Sequence, residues 1–180
     1  MSISFYPKLP YSGSGTGITF PHIGASDTTD QYATANDTPT LVNWNTLDTA
    51  SGFTLAAGAA TATYAGVYKI DFSLQFANTD NQQHDVDVWL RVNNVDVPGS
   101  TSKFSIQARK SAILPTFIVA YSTVVFTLAA GDNVKLYWAT GLAYNPVGPV
   151  NGIYMEYQAD RKSTRLNSSH SQQSRMPSSA

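Results

Sequence analysis

Two stretches near the middle of the chain alternate strictly between apolar and polar residues. They span positions 68–76 and 85–92, and every second side chain in each is apolar. Period-two alternation predicts β-strands that bury one face and leave the other free. Asn93 and Asn94 follow the second stretch, and because Asn tolerates positive φ, the pair predicts a two-residue type I′ hairpin turn. The centre of the chain is therefore predicted to be antiparallel β-structure.

Eight further strands are predicted around this centre, separated by turn signals rich in Gly, Pro, Asn and Asp. They cover positions 39–44, 52–55, 59–64, 95–97, 102–108, 115–128, 134–138 and 153–158. No stretch has the periodicity of a helix of useful length. Many short strands separated by turns are typical of a β-sandwich or barrel, so residues 27–159 are predicted to form one all-β domain without significant helix.

One of these strands, PTFIVAYSTVVFTL at positions 115–128, is apolar on both faces. A strand of this kind is covered on both sides. In an antiparallel fold whose other strands keep one polar face, we expect the second cover to come from a neighbouring subunit. The stretch therefore favours an oligomer.

The N-terminal end of the chain differs from this β-rich centre. Residues 1–26 are rich in Gly, Ser and Pro, and we predict a flexible or poorly ordered arm. They lack the basic and apolar regions of a secretory signal peptide. No apolar run in the chain approaches the roughly 20 residues of a membrane span. Neither export by that route nor membrane insertion is expected.

The C-terminal tail, from Asp160 to Ala180, resembles translated sequencing-adapter DNA. Positions 160–170 read DRKSTRLNSSH and positions 174–180 read SRMPSSA, which match two constant parts of the adapter on either side of its variable index. We expect an artefactual, disordered tail that contributes to neither fold nor function. Four of the 11 basic and one of the 12 acidic residues lie in it, which leaves 7 and 11 and a net charge of −4.

Composition and motifs argue against several kinds of chemistry. A net charge of −4 with few Lys and Arg argues against a nucleic-acid partner. The absence of cysteine excludes disulfides and thiolate metal sites. His84 beside Asp85 and Asp87 is a weak metal candidate, for which a solvated strand edge is the simpler interpretation. Asp71 and Glu156 could form a glycosidase pair if they lie on adjacent strands. We expect no metal and no cofactor.

Three motifs carry a resemblance to a known fold family. Their residues are Phe53, Tyr64, Gly66-Val67-Tyr68 and Phe72; Leu128-x-x-Gly131-Asp132-x-Val134-x-Leu136; and positions 85–98, DVDVWLRVNNVDVP. The first two resemble the globular heads of complement-type proteins and the tumour-necrosis-factor (TNF) fold. The third resembles a variant of this module in virion proteins of marine tailed phages. The resemblance covers roughly residues 38–159, and Asn94 stands where the family usually has Gly.

The resemblance implies a ten-strand antiparallel jelly-roll sandwich, TNF-like, that forms homotrimers and is not an enzyme. In the family, aromatic side chains on the penultimate long strand and the last strand face the threefold axis, and the matching positions are Tyr121 and Tyr154. Together with the doubly apolar strand, this predicts a trimer interface of Phe117, Tyr121, Val125 and Tyr154. Asp71 and Glu156 would face the same axis, where no substrate enters.

Trp89 and Tyr137 are the candidate ligand residues. Each is an aromatic residue on the polar side of its strand, and the resemblance makes the two strands neighbours in the outer sheet. The pair would either stabilise the sheet as a cross-strand contact or form a patch that stacks on the sugar rings of a host surface glycan. If the patch is structural, contact is expected in the loops at 78–83 and 141–152.

Three functional classes remain open. We expect a non-enzymatic structural or appendage module of a tailed-phage virion, which is trimeric and contacts other virion proteins and a host surface glycan or receptor. The first alternative is a secreted or surface adhesin of bacterial origin, and the second is a glycan-active enzyme. The missing signal peptide favours the virion module, because virion proteins assemble in the cytoplasm and leave by lysis.

Overall fold

The computed structural model describes residues 2–7, 20–148 and 151–157, so the tail from 160 onward lies outside it. The described residues form fourteen β-strands and no helix, which confirms the all-β prediction. None of them belongs to a helix that is long and apolar enough to cross a membrane. The strands are β1 (Ser2–Pro7), β2 (His22–Ser26), β3 (Gln31–Tyr32), β4 (Thr40–Leu41), β5 (Thr46–Ser51), β6 (Phe53–Ala56), β7 (Ala59–Ala62), β8 (Gly66–Asn78), β9 (His84–Val92), β10 (Val95–Asp96), β11 (Ser102–Ile106), β12 (Thr116–Leu128), β13 (Asn133–Thr140) and β14 (Ile153–Met155).

The first sheet, sheet I, is organised around β8. Strand β12 pairs with β8 along its whole length, from Gly66 opposite Leu128 to Asn78 opposite Thr116. The other edge of β8 is shared between β1 and β14. Strand β3 continues the sheet beyond β14, while β2 and β5 continue it beyond β1. All of these pairings are antiparallel.

The second sheet, sheet II, is organised around β9. Strand β13 pairs with one edge of β9, and β10 and β11 pair with the other. Strand β13 also pairs with β4 and β7, and β7 pairs with β6. The two stretches whose alternation is clearest in the sequence are therefore the central strands of the two sheets.

The hydrophobic core is built from the apolar faces that the alternation predicts. Positions 68, 70, 72, 74 and 76 of β8 are all buried, as are Val86, Val88 and Leu90 of β9. Trp138 of β13 is fully buried, and its ring centroid lies 5.3 Å from that of Phe76. Burying a large apolar side chain contributes roughly 1.5–3 kcal/mol. The remaining positions of these strands lie on the opposite face of each sheet.

The turn between β9 and β10 has the predicted geometry. Asn93 and Asn94 have φ angles of 52° and 67°, and a type I′ turn requires positive φ at both positions. Asn93 also binds the turn before β13: its Oδ1 accepts a hydrogen bond from the Asn133 backbone N–H at 3.1 Å, and its Nδ2 donates to Asp132 Oδ1 at 2.7 Å. The tip of the hairpin is thereby held against the neighbouring turn.

The N-terminal segment differs from the flexible arm predicted for residues 1–26. Ser2–Pro7 pairs with β8 and β2, and His22–Ser26 pairs with β5. Ile3, Ile23 and Ala25 are buried in the core. Their short alternations are flanked by the Gly, Ser and Pro residues that led to the prediction of an arm. Residues 8–19, which hold the Gly-rich centre of this segment, lie outside the described residues.

The ten predicted strands correspond to β4 and to β6 through β14. The four additional strands, β1, β2, β3 and β5, all lie before residue 52. Strand β5 has no buried position, so it has no apolar face that periodicity can detect. The strand predicted at 39–44 is reduced to Thr40–Leu41, although Val42 and Trp44 are still buried.

Candidate functional site

Strand β12 exposes a row of large apolar side chains on the face of sheet I that points away from the core. Phe117, Val119, Tyr121 and Val125, the apolar stripe, are 37%, 62%, 58% and 62% exposed. On the opposite face of β12, Ala120 and Leu128 are buried, and Ile118, Val124 and Phe126 are partly buried against the core. One apolar face of β12 therefore packs on the core, and the other is exposed to solvent in the single chain.

Tyr154 lies on the same face of sheet I as the apolar stripe. Phe117 of β12 and Tyr154 of β14 both stand opposite Ala77, one on each side of β8. Directly opposed residues of antiparallel strands project to the same face. The structure therefore brings the four residues predicted for the trimer interface onto one surface, and it adds Val119, which the sequence analysis did not name.

A band of polar residues on β8 borders the apolar stripe. Gln75, Ser73 and Asp71 stand opposite Val119, Tyr121 and Thr123. Asp71 accepts hydrogen bonds from Lys69 Nζ at 2.9 Å, from Tyr121 OH at 3.3 Å and from Thr123. Burial acts to raise the pKa of Asp71, but the bonds from Lys69 and Thr123 outweigh it and lower the pKa. Asp71 is thus held ionised and fixes the Tyr121 hydroxyl at the border of the stripe.

The outer edge of β12 is a second notable feature of this surface. Among the described residues β12 forms a ladder only with β8, so its other edge has no strand partner along thirteen residues. An unpaired edge presents backbone N–H and C=O groups that can bind another chain. The apolar stripe and an open edge therefore occur on the same strand.

Three tyrosines pack together at the end of sheet I where Tyr154 lies. Tyr32, Tyr144 and Tyr154, the tyrosine cluster, have ring centroids 5.2 to 5.7 Å apart. Burial, followed by the charges of Glu156 and Asp30, raises the pKa of the Tyr154 phenol far above its usual value. Sequence reasoning found only Tyr154, because Tyr32 lies on the two-residue strand β3 and Tyr144 lies in a loop.

Trp89 and Tyr137 form the cross-strand pair that the sequence predicts. They are direct partners of β9 and β13, with ring centroids 6.1 Å apart and ring planes inclined by 26°. The guanidinium carbon of Arg91 lies 4.2 Å from the Tyr137 centroid and 5.8 Å from that of Trp89. Asp96 accepts hydrogen bonds from Trp89 Nε1 at 2.7 Å and from Arg91 Nε at 2.5 Å. The rings are thus engaged by neighbouring side chains, which favours the sheet-stabilising interpretation.

The weak metal candidate is engaged in protein contacts. His84 Nε2 lies 2.8 Å from Asp80 Oδ2, and the pKa of Asp80 is lowered chiefly by this hydrogen bond. Asp85 and Asp87 face Lys103 at 3.9 and 3.5 Å. Within the described residues, no group of three or more His, Asp or Glu side chains is placed to hold a metal ion.

Asp71 and Glu156 do not form a carboxylate pair. The Glu156 backbone N–H donates to Gln75 O at 3.0 Å, and its side chain accepts from Gln75 Nε2 at 2.9 Å. Gln75 is four residues from Asp71 along β8, which corresponds to about 13 Å in a strand. The two carboxylates therefore stand beside different positions of β8 and bind different side chains, whereas a glycosidase pair faces one substrate bond from both sides.

No family model matches the chain, and no curated protein matches it significantly.

Proposed function

We propose that the protein is a non-enzymatic, self-associating β-module whose subunits pack as a homotrimer on the apolar stripe and Tyr154, and that it serves as a structural or appendage component of a tailed-phage virion. The observation that carries the proposal is the exposed apolar stripe of β12. Four large apolar side chains stand in one row on one strand, and a lone domain leaves them between 37% and 62% exposed.

Physical chemistry supports self-association of this surface. A contiguous exposed apolar patch on a soluble protein usually marks an interaction site. Full burial of a Val or Phe side chain is worth roughly 1.5–3 kcal/mol, and buried aromatic residues at an interface often contribute about 2 kcal/mol or more each. Phe117 and Tyr121 are the aromatic anchors in this arrangement, and Val119 and Val125 extend the contact.

The threefold symmetry and the jelly-roll topology are part of the proposal. They come from the resemblance to the TNF-like fold, which the two antiparallel sheets, the Gly131-Asp132 turn and the long strands β8 and β12 support. In this proposal the strands from β4 onward, without β5, make up the ten-strand jelly roll, and β1, β2, β3 and β5 are additions to it. Sheet I then faces the threefold axis and sheet II faces solvent.

The virion role rests on the resemblance of positions 85–98 to the phage variant of the module. A bacterial surface adhesin would use the same fold and the same trimer. The glycan-active alternative is weaker, because Asp71 and Glu156 lie far apart and bind other side chains. Sequencing the DNA that flanks the gene distinguishes the classes. Adjacent capsid or tail genes are the expected result, whereas an export signal in a longer reading frame would contradict the virion role and indicate an adhesin.

A further inference from the structure

A surface groove of about 710 Å³ lies beside the tyrosine cluster, between residues 32–36 and residues 142–146. Tyr32 and Tyr144 contribute aromatic rings to its wall, and Thr34, Asn36 and Asn145 contribute polar groups. Its volume falls in the range of roughly 300–1,000 Å³ that is typical of ligand sites. None of the ten described residues that line it carries a charge. The groove therefore combines aromatic and amide groups without an ionic one.

The two amide side chains of the groove are oriented by the protein itself. Asn36 Oδ1 accepts a hydrogen bond from the Ala143 backbone N–H at 2.9 Å, and Asn145 Oδ1 accepts one from the Val147 backbone N–H at 3.0 Å. The described residues offer no hydrogen-bond partner to either NH₂ group or to the Thr34 hydroxyl. With each oxygen already engaged, the NH₂ donors are left for a ligand.

The charges and ring contacts around the groove limit the kind of ligand. Asp30 and Glu156 act on the neighbouring Tyr154 and would repel an anion. A quaternary cation requires a cage of rings that surround it, but the rings of Tyr32, Tyr144 and Tyr154 are packed against one another at 5.2 to 5.7 Å. A neutral ligand with flat C–H faces and several hydroxyl groups fits both constraints.

We propose that this groove binds a neutral saccharide, whose C–H faces stack on Tyr32 and Tyr144 while its hydroxyls accept hydrogen bonds from the amides of Asn36 and Asn145. This site deepens the proposed function, since it rests on the host-contact role of the module, but it does not require the trimer. The groove is formed by Tyr32 of β3, the residues that follow it to Asn36, and residues 142–146, near the end of sheet I that holds Tyr154.

The test is binding of the full-length protein to an array of neutral hexasaccharides, namely glucans, mannans and galactans, with polysialic acid as the anionic comparison. The strongest binder is then titrated by calorimetry. Tyr144→Leu keeps an apolar side chain against the cluster but loses the ring, and we expect roughly tenfold weaker binding. The control is Tyr64→Leu, which removes an exposed tyrosine beyond the opposite end of β8 and should bind like wild type.

A second variant covers the case in which Tyr144→Leu fails to fold. Ala35 is exposed and lines the groove, so Ala35→Trp fills the groove without changing the core, and binding should be lost. No binding to any neutral saccharide, stronger binding to polysialic acid, or full binding by Ala35→Trp would overturn the inference. The oligomeric state is measured on the same samples. A trimer that binds no saccharide would contradict only the proposed saccharide site. A monomer that binds a saccharide would contradict only the proposed trimer.

Discussion

Trp89 and Tyr137 face each other across β9 and β13, with their ring planes inclined by 26° and the guanidinium of Arg91 4.2 Å from the centroid of the Tyr137 ring. A cross-strand aromatic pair contributes roughly 0.2–1 kcal/mol, and a partly exposed cation–π contact adds about 0.5–1 kcal/mol. We expect Tyr137→Ala to lower the free energy of unfolding by about 1–2 kcal/mol in urea denaturation, and to leave saccharide binding unchanged.

The double variant of Trp89 and Tyr137 measures their coupling directly. If the pair is structural, the loss of stability in the double variant should differ from the sum of the two single losses by about 0.5 kcal/mol or more. The reason is that each single substitution already removes the contact between the two rings. Loss of glycan binding in a folded Trp89→Ala or Tyr137→Ala variant would contradict this account, since it would place the ligand contact on sheet II.

The asparagine turn offers a matched pair of substitutions. Both Asn93 and Asn94 have positive φ, which glycine adopts without strain. Asn94→Gly loses one exposed bond, from Lys135 Nζ to Asn94 Oδ1, and should change stability by less than about 0.5 kcal/mol. Asn93→Gly removes its bonds to Asp132 and Asn133 and should cost about 1–2 kcal/mol. Equal effects in chemical denaturation would show that Asn93 does not fix the hairpin tip.

Asp132 should make the stability depend on pH below its ordinary pKa of 3.8. The hydrogen bond from Asn93 and that from the Ala129 backbone N–H lower the pKa of its carboxyl in the folded state. A lowered pKa contributes stability above the unfolded value, and this contribution is lost as the pH falls through the folded value. Asp132→Asn should therefore melt below wild type at pH 6, and the gap in Tm should close toward pH 2.

The control for this pH series is Asp37→Asn. The carboxylate of Asp37 is exposed and accepts no hydrogen bond within the described residues, although its backbone also has positive φ. The Tm gap of Asp132→Asn is compared with that of Asp37→Asn at each pH, since both variants lose one carboxylate. A gap for Asp132→Asn that persists at pH 2 would mean that its ionised form is not what stabilises the turn.

The strands from residue 53 onward could be predicted from their alternation, because every second residue of such a strand faces the core between the two sheets. Phe117, Tyr121 and Val125 followed from the same rule, applied to a strand that is apolar on both faces. Val119 obeys this rule as well and could have been included. Before residue 52 only β4 was predicted; β5 has no apolar face, β3 has two residues, and β1 and β2 flank the Gly-rich stretch that suggested an arm.

The hexapeptide FTLAAG illustrates a limit of local sequence. At 53–58 the strand ends at Ala56, and Ala57 and Gly58 form a two-residue turn with φ of 48° and 71°. At 126–131 the strand continues to Leu128, and Gly131 has a φ of 89°. Pairing with β7 in the first copy and with β8 in the second decides the turn. The tyrosine cluster was missed for a similar reason, since tertiary contacts bring its residues together.

A charge in the apolar stripe should separate the subunits without unfolding them. Val125 is exposed and stands opposite Lys69, so a carboxylate at this position gains an opposite charge in the single chain. In the assembled interface the same carboxylate would be buried at a cost of several kcal/mol. Val125→Asp should therefore be a folded monomer by light scattering. Thr54→Asp, at an exposed position of β6, should keep the wild-type mass.

The mass of the wild-type protein in solution tests the central claim most directly. Sedimentation velocity and equilibrium should give three times the chain mass of 19.4 kDa, with no monomer at the higher concentrations. This result is expected because a lone chain leaves Phe117, Val119, Tyr121 and Val125 in water. A monodisperse species of 19.4 kDa at every concentration would contradict the account, since the apolar stripe would then have no partner of its own kind.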